Sequence, residues 1–514
     1  MNDTRREASV NARDALRGRR ESVVLAVSCA LTLAGCAVGP NYHRPDAPVP
    51  QRFKEAEGWK PAEPREAASG ASWWSVYEDP QLDELEKQID ISNQTLKQSE
   101  AAWREAVAVV SAARAQYFPT VGLNATAQRS GGAGETVSSG TGSTVQRVPH
   151  PTNQFELVGT ASWDLDIWGK IRRTVESDVA NAQASQAELA AARLSAQATL
   201  ATDYIELRVA DEMKQLLDET VEGFKRSLAI TQNQYTVGVV PKTDVITAET
   251  QLEGAQSQQI AVAATRATLE HAIAVLVGKP PADFSLPPAK LGALVPVVPA
   301  GVPSALLERR PDVAAAERSM AAMNAQIGVA TAAYFPDLTL NGSYGFVSNV
   351  VSGLVKAPNN IWAFGGTASE TLLDFGARPA VVRQARAAYD AAVANYRQTA
   401  LTAFQQVEDE LATLRVLEEQ YQVQDQATKS ANLAAQMTLN QYRAGTVAYT
   451  SVVQQQSIAL SDAQTLLTIR QNRLTASVAL IQALGGGWDA ASLGTRQGQV
   501  TGATLPAVGA AQSQ

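Results

Sequence analysis

The chain has 514 residues, 45% of them hydrophobic and 18% charged, and a formal net charge of -8. A nucleic-acid-binding surface needs a basic face, so an acidic balance argues against that class of partner. The length suits two to four ordinary domains of about 100–200 residues, a prior that internal repetition overrides.

The N-terminus reads as an export signal. Arg17, Arg19 and Arg20 precede an apolar run from Val23 to Ala34, which ends in Leu33-Ala34-Gly35-Cys36. A dozen apolar residues are too few to span a bilayer, which takes about 20. A plain secretory signal would leave Cys36 an incidental thiol; Leu-Ala-Gly-Cys instead resembles the bacterial lipobox, in which the cysteine is acylated and becomes the first residue. Cys29 and Cys36 are the two cysteines of the chain, so the mature protein would hold no free thiol and no disulfide. Ala37 follows the cysteine, not the aspartate that resembles an inner-membrane retention signal, so the expected address is the outer membrane, facing the periplasm. The stretch "CAVGPNYHRPDAPVP" then reads as a proline-rich extended tether.

Two copies of one unit follow. "QYTVGVVPKTDV" at 234–245 recurs as "QYRAGTVAYTSV" at 441–452, an offset of 207 that also carries Gly169 onto Gly376 and Gly278 onto Gly485. Tyr117-Phe118-Pro119 and Tyr334-Phe335-Pro336 are related by 217, so the first copy holds ten extra residues, which fall in the Gly/Ser/Thr segment "RSGGAGETVSSGTGSTVQRVPHPT" and read as loop. Each copy reads helix, strand, loop, strand, very long helix, turn, helix. In the first copy Phe155, Leu157, Gly159, Ala161, Trp163, Leu165 and Ile167 alternate with more polar residues, the pattern of a two-faced strand long enough to cross a bilayer at a tilt. Trp163, Trp168, Tyr344, Trp362 and Phe364 sit near the strands, where they suit either an aromatic girdle or ordinary packing. Four strands cannot close a membrane barrel, for which about eight are the minimum, and open edges cannot face lipid. Either the strands form a small soluble sheet or several chains share one barrel.

The helices favour sharing. No proline interrupts Ile171 to Tyr235, and apolar residues recur every three or four positions, as in Met213, Leu217, Val221, Phe224 and Leu228. A helix of about 65 residues reaches nearly 100 Å at 1.5 Å per residue and must lie against others as a coiled coil. At Tyr-Phe-Pro the proline ends a helix by removing a donor and clashing with the preceding turn, and the two aromatics suit a membrane interface.

These residues resemble the TolC-like outer membrane factor family, in its lipoprotein branch often labelled NodT-type. "CAVGPNYHRP", "RRPDVAAAERSMAAMNAQIGVATAAYFPDLTL" at 309–340 and "QYRAGTV" at 441–447 carry the likeness. The resemblance implies a mainly α chain with membrane β: a homotrimeric 12-stranded outer-membrane β-barrel continued by a long periplasmic α-helical barrel. It also implies an adaptor protein and an inner-membrane pump of the RND type as partners. The family narrows its tunnel near the two helical turns. Asp244 falls at a tip aspartate that in the family bonds across to a tyrosine, and Tyr442 falls at that tyrosine. Ser451 and Gln454 stand where relatives often carry an acidic ring, and Val447 where some carry a latch arginine, so any ring here is less acidic. By its position after a turn, Asp244 could equally be a helix N-cap.

No catalytic grouping emerges. His43, His150 and His271 lie in the tether, a loop and a helix without metal-ligand spacing, and no nucleotide-binding fingerprint occurs. Glu408, Asp409 and Glu410 read as a solvated or lumen-facing helix surface. The sequence thus points to a non-enzymatic passive duct without cofactor or metal, carrying drugs or other small toxic molecules across the outer membrane; a type I protein-secretion conduit and a non-pore acylated coiled-coil scaffold are the alternatives. The expected partition is signal peptide 1–35, acylated Cys36 and tether 36–75, first repeat 76–278, proline-rich crossover 279–303, second repeat 304–485 and loosely ordered tail 486–514.

Overall fold

The computed structural model describes residues 37–494, apart from 48, 51, 56–71, 132–135, 139–143, 147–150, 293–295 and 297–302. Their elements in chain order are α1 (Pro80–Ser92), α2 (Gln94–Ala115), β1 (Thr120–Ser130), β2 (Thr136–Ser138), β3 (Thr144–Gln146), β4 (Thr152–Asp164), α3 (Lys170–Thr236) and α4 (Lys242–Leu276). The second half adds α5 (Pro303–Arg309), α6 (Pro311–Ala332), β5 (Asp337–Ser348), β6 (Asn360–Ser369), α7 (Ala377–Arg443), α8 (Tyr449–Ala483) and α9 (Ala491–Gly494). The chain divides into two compact units, one drawn from 1–44, 106–182 and 319–393, the other from 45–105, 183–318 and 394–514.

The first unit is built on an antiparallel sheet of order β1-β4-β5-β6. Each repeat supplies one hairpin, and β4 pairs with β5 to join them, from Phe155↔Ser348 to Asp164↔Thr339. Where each repeat passes from helix into sheet, the helix tightens before its proline: Tyr117 N donates to Arg114 O and Phe118 N to Ala115 O, as Tyr334 N does to Thr331 O and Phe335 N to Ala332 O. Proline then ends the helix and the strand begins on the next residue. The Gly/Ser/Thr segment, expected to be loop, contains a short hairpin in which β2 pairs with β3, Val137 opposite Val145 in the ladder.

In the second unit α3 and α7 each contribute to a helical body, and the two helices have 67 residues each. The unit's main core gathers Leu82, Leu85 and Ile89 of α1, Leu200, Ile205 and Leu207 of α3, Ile273 of α4, Val407 and Leu411 of α7, and Leu474 and Leu480 of α8. Burying each such side chain contributes about 2 kcal/mol. The start of α1 is fixed by Asp79, whose carboxylate accepts from Gln81 N and Leu82 N, and by Pro80 at the first helical position.

Two expected boundaries shift. Trp73 and Trp74, placed in the tether, are 5% and 3% exposed and belong to the core, as does Phe53. The tail, expected to be loose from 486, is anchored at its start: Trp488 and Leu493 pack on Ala187, Ala314 and Ala315, and Ala490 N donates to Glu308 O. Residues 495–514 lie outside the described residues. The crossover is pinned by three arginines. Arg208 donates to Pro287 O, Arg266 to Leu286 O, and Arg470 to Leu291 O and Gly292 O. Asp211 and Glu212 hold those arginines by ion pairs, which offsets the cost of burying their charge. Glu408 is not a free solvated residue: its carboxylate accepts from the backbone N–H groups of Lys54 and Glu55.

Candidate functional site

The two helical turns share one backbone device. Gly238 and Gly445 take φ of +77° and +75°. Around the first, Gly238 N donates to Tyr235 O and Val239 N to Gln234 O; around the second, Gly445 N donates to Tyr442 O and Thr446 N to Gln441 O. This is the paired bonding of a glycine-terminated helix, which satisfies carbonyls that would otherwise be free.

On that common backbone the side chains differ. Tyr235 is 44% exposed, whereas its counterpart Tyr442 is 3% exposed. Tyr442 and Tyr449 lie with ring centroids 5.2 Å apart, walled by Val452 and Ala248. The Tyr442 hydroxyl donates to Thr231 Oγ1 at 3.3 Å. Burial raises the Tyr442 phenol above its ordinary value, and it pushes that of Tyr449 up to about 12, the nearby Asp244 charge adding to both.

Asp244 itself is not the N-cap of α4. Pro241 occupies that place, leaving Asp244 as the third helical residue, where its charge opposes the positive end of the helix. Among the described residues the hydroxyl of Tyr442 meets Thr231 and not Asp244, so the expected cross-tip bond is replaced by a bond within the buried cluster and the carboxylate acts on the phenols at a distance. Ser451 stands at the same place in α8, where Ala448 is the N-cap; Ser451 is half-buried and Gln454, nearly one turn on, is exposed. Sequence reasoning missed Tyr449 and Thr231. The available signal was Tyr449 itself, an aromatic opening α8 where the first repeat has Lys242. Beyond the turns, α4 and α8 run side by side through Gln251 Nε2 to Ser457 Oγ and Gln464 Nε2 to Gln258 Oε1, contacts seven residues apart as a coiled-coil seam requires.

The helix-to-strand junctions form the second cluster. Trp168 stacks on Phe335 at 4.7 Å, and its Nε1 donates to Pro336 O at 2.9 Å. Trp163 Nε1 donates to Tyr117 O, and the Arg378 guanidinium lies 5.5 Å from the Tyr334 ring. Phe118 and Pro119 stay exposed, Phe118 by 70%. Cys36 lies outside the described residues, but the chain just after it is held. Val38 N donates to Trp168 O, Arg173 donates to Val38 O, Gly39 O and Asn41 Oδ1, and Asn324 Nδ2 donates to Pro40 O. A side chain on Gly39 would come within 2.5 Å of Gly328 Cα, and one on Gly328 within 2.8 Å of the Arg173 side chain. The tether, expected to be merely extended, is clamped at its start by Arg173 and Gly328, neither of which the sequence singled out.

The outer membrane efflux protein family matches residues 85–279 and 302–486 of this sequence. The chain belongs to that family. Its relatives cover nearly all of this efflux protein. The toluene efflux pump outer membrane protein TtgC of Pseudomonas putida is 29% identical over 472 residues, covering 89% of this chain and 94% of its own length. The cation efflux system protein CusC of Escherichia coli is 28% identical over 462 residues, covering 89% and 97%. Among solved structures the outer-membrane channel OprN superposes with a TM-score of 0.81 at 29% identity, over 88% of this chain and all of its own. This efflux protein therefore shares the channel fold. Among the described residues no helix is long and apolar enough to cross a membrane.

Proposed function

We propose that three copies close their four-stranded sheets into one twelve-stranded barrel and act as a passive exit duct for small toxic molecules. An inner-membrane pump of the RND type supplies the energy, and a periplasmic adaptor couples it to the duct. The observation that carries this reading is the sheet with two open edges: among the described residues β1 and β6 each have a neighbour on one side only, and both are exposed nearly throughout. Backbone N–H and C=O groups left open to lipid cost several kcal/mol each, so a membrane sheet must find its missing neighbours in other copies. Acylated Cys36 adds a lipid anchor beside the barrel, supported by the clamp that begins at Val38. Asp244, Tyr442, Ser451 and Gln454 are assigned to the periplasmic gate, with the Tyr442–Tyr449 cluster as its latch. The named cargoes of the two relatives, toluene and cations, support small molecules over protein.

The test has two arms. Purified protein in a planar bilayer should give single-channel conductance steps, and deleting the gene in a strain without paralogues should raise sensitivity to at least one toxic compound. A protein that inserts no pore, or a deletion that leaves a broad panel of compounds and cations unchanged, overturns the duct.

A further inference from the structure

The internal duplication serves as a ruler across the sheet. β1 pairs with β4 beginning at Thr120↔Ser162. Advancing the first partner by 217 and the second by 207 gives Asp337↔Ser369, which is the first pair of β5 with β6. The hairpins of the two repeats are thus in one register, set by the same two offsets that relate the Tyr-Phe-Pro motifs and the glycines. The third seam, β4 with β5, has no counterpart inside one chain. Its counterpart joins β6 to β1, and these strands stand at opposite edges of the sheet.

The seam that exists is closed by a clasp just past its ladder. Leu165 N donates to Leu338 O at 2.8 Å, and Trp168 stacks on Phe335 while bonding Pro336 O. Leu165, Trp168, Phe335 and Leu338 are half-buried as a result. Their repeat counterparts are bare: Leu372 is 88% exposed, Phe375 92%, Phe118 70% and Val121 80%. Phe375 also holds φ at +49°, a backbone state that an unsupported bulky residue avoids. One edge offers the aromatic that follows a strand, and the other offers the Phe-Pro that precedes one.

We propose that β6 of one copy pairs with β1 of the next in the register Ser369↔Asn124, and that Phe375 stacks there on Phe118 of the next copy, repeating the Trp168–Phe335 clasp. The proposal rests on the shared barrel above and goes further by fixing the register and the residues of each seam. The internal pairs Ser162↔Asn341 and Gly159↔Tyr344 translate into Ser369↔Asn124 and Gly366↔Ala127. The bond from Leu165 N to Leu338 O translates into one from Leu372 N to Val121 O of the next copy. A phenylalanine has no ring N–H, so the hydrogen bond that Trp168 makes to Pro336 has no equivalent at Pro119.

The mature chain would hold no free thiol, which makes disulfide mapping direct. Two double variants of the full chain are compared, N124C with S369C and A125C with A368C, because ladder positions alternate between narrow and wide Cα spacings that a disulfide tolerates to different degrees. A control shifted by two residues joins N124C to T367C. After mild oxidation of isolated outer membranes, at least one in-register variant should give a reducible ladder ending at three copies, and the control none. Separately, Phe375→Ala should lower the temperature at which the purified assembly dissociates in mild detergent, and Phe375→Trp should raise it by restoring an N–H aimed at Pro119 O. Cross-linking only in the control, or in no pair while native mass shows three copies, overturns the register and leaves the duct standing. A monomeric mass overturns both. A dissociation temperature indifferent to both Phe375 variants overturns the clasp and places that ring against lipid instead.

Discussion

The two halves of the chain are one backbone dressed twice, and the places where they agree differ in kind from those where they part. They agree at joints. Asn93 Nδ2 donates to Leu276 O in the first half, and Arg310 Nη1 donates to Ala483 O in the second, so the start of one helix is tied to the end of another at matching positions. Beside each tie a glycine at positive φ is pressed on a backbone carbonyl: Gly278 against Ser92 and Gly485 against Arg309. They part at the tips, where Tyr235 is exposed and Tyr442 is buried. Backbone closeness leaves no freedom of side chain, whereas an exposed turn leaves a great deal, so duplication kept the joints and let the tips specialise.

The largest effect that can break this comparison is at a joint. A methyl group on Gly485 would come within 2.1 Å of Arg309 O, and one on Gly278 within 2.4 Å of Ser92 O, both at positive φ. Gly485→Ala and Gly278→Ala should each cost about 3 kcal/mol or more, enough to remove folded protein from the membrane. Gly238 has φ +77° and nothing within 4 Å of an added methyl, so Gly238→Ala should cost only about 1–2 kcal/mol. Thermal unfolding followed by circular dichroism separates the two cases; equal losses at all three glycines would mean that φ alone, and not the close approach, fixes the joints.

A smaller effect sharpens the contrast at the tips. Tyr442→Ala empties a site in the buried Tyr442–Tyr449 cluster and should cost about 3 kcal/mol, while Tyr235→Ala on the exposed tip should stay within about 0.5 kcal/mol. Tyr442→Phe removes only the hydroxyl bonded to Thr231 and should cost about 1 kcal/mol. If the cluster latches the gate, the same order should appear in the open-channel probability. A Tyr235→Ala variant as leaky as Tyr442→Ala would make the tips equivalent after all.

The joints and strands were legible in the sequence because they rest on local rules. Proline stops a helix that has run past its first turn and a period of two marks a strand, so Tyr117-Phe118-Pro119, Tyr334-Phe335-Pro336 and the β4 alternation could be read directly, as could the two turns from their recurring motif. Asp244 was harder: an acidic residue near a turn can be the cap or its third residue, and only the backbone shows that Pro241 holds the cap. The partner of Tyr442, the clamp of Arg173 on residues 38–41 and the staples of Arg208, Arg266 and Arg470 on the crossover are contacts between distant parts of the chain. Local periodicity carries no information about such pairs. Glu408 shows the same limit, since a charged run looks solvated until a backbone segment settles on it.

The halves also differ in length. α1 has 13 residues and its counterpart α5 has 7; where α5 begins at Pro303, α1 holds Glu86 in the core at 0% exposed. Neither carboxyl oxygen finds a hydrogen-bond partner among the described residues. Burial, with Asp90 and Asp83 adding, pushes the Glu86 carboxyl up to about 9 from an ordinary 4.5. The folded chain therefore holds a proton at Glu86 that the unfolded chain releases, so this group's contribution to stability is full below about 4.5, falls as pH rises through that window and levels above about 9. Glu86→Gln cannot release a proton and should lose this slope. The amide is as poorly partnered as the acid, a cost that is the same at every pH, so relative to the parent the variant should gain on the order of 4 kcal/mol between pH 5 and pH 8. Unfolding midpoints of both proteins across pH 5–9 check the sign. A variant that gains nothing on the parent between pH 5 and pH 8 would mean that Glu86 is ionised and paired there, and that the longer α1 carries a charge rather than a proton.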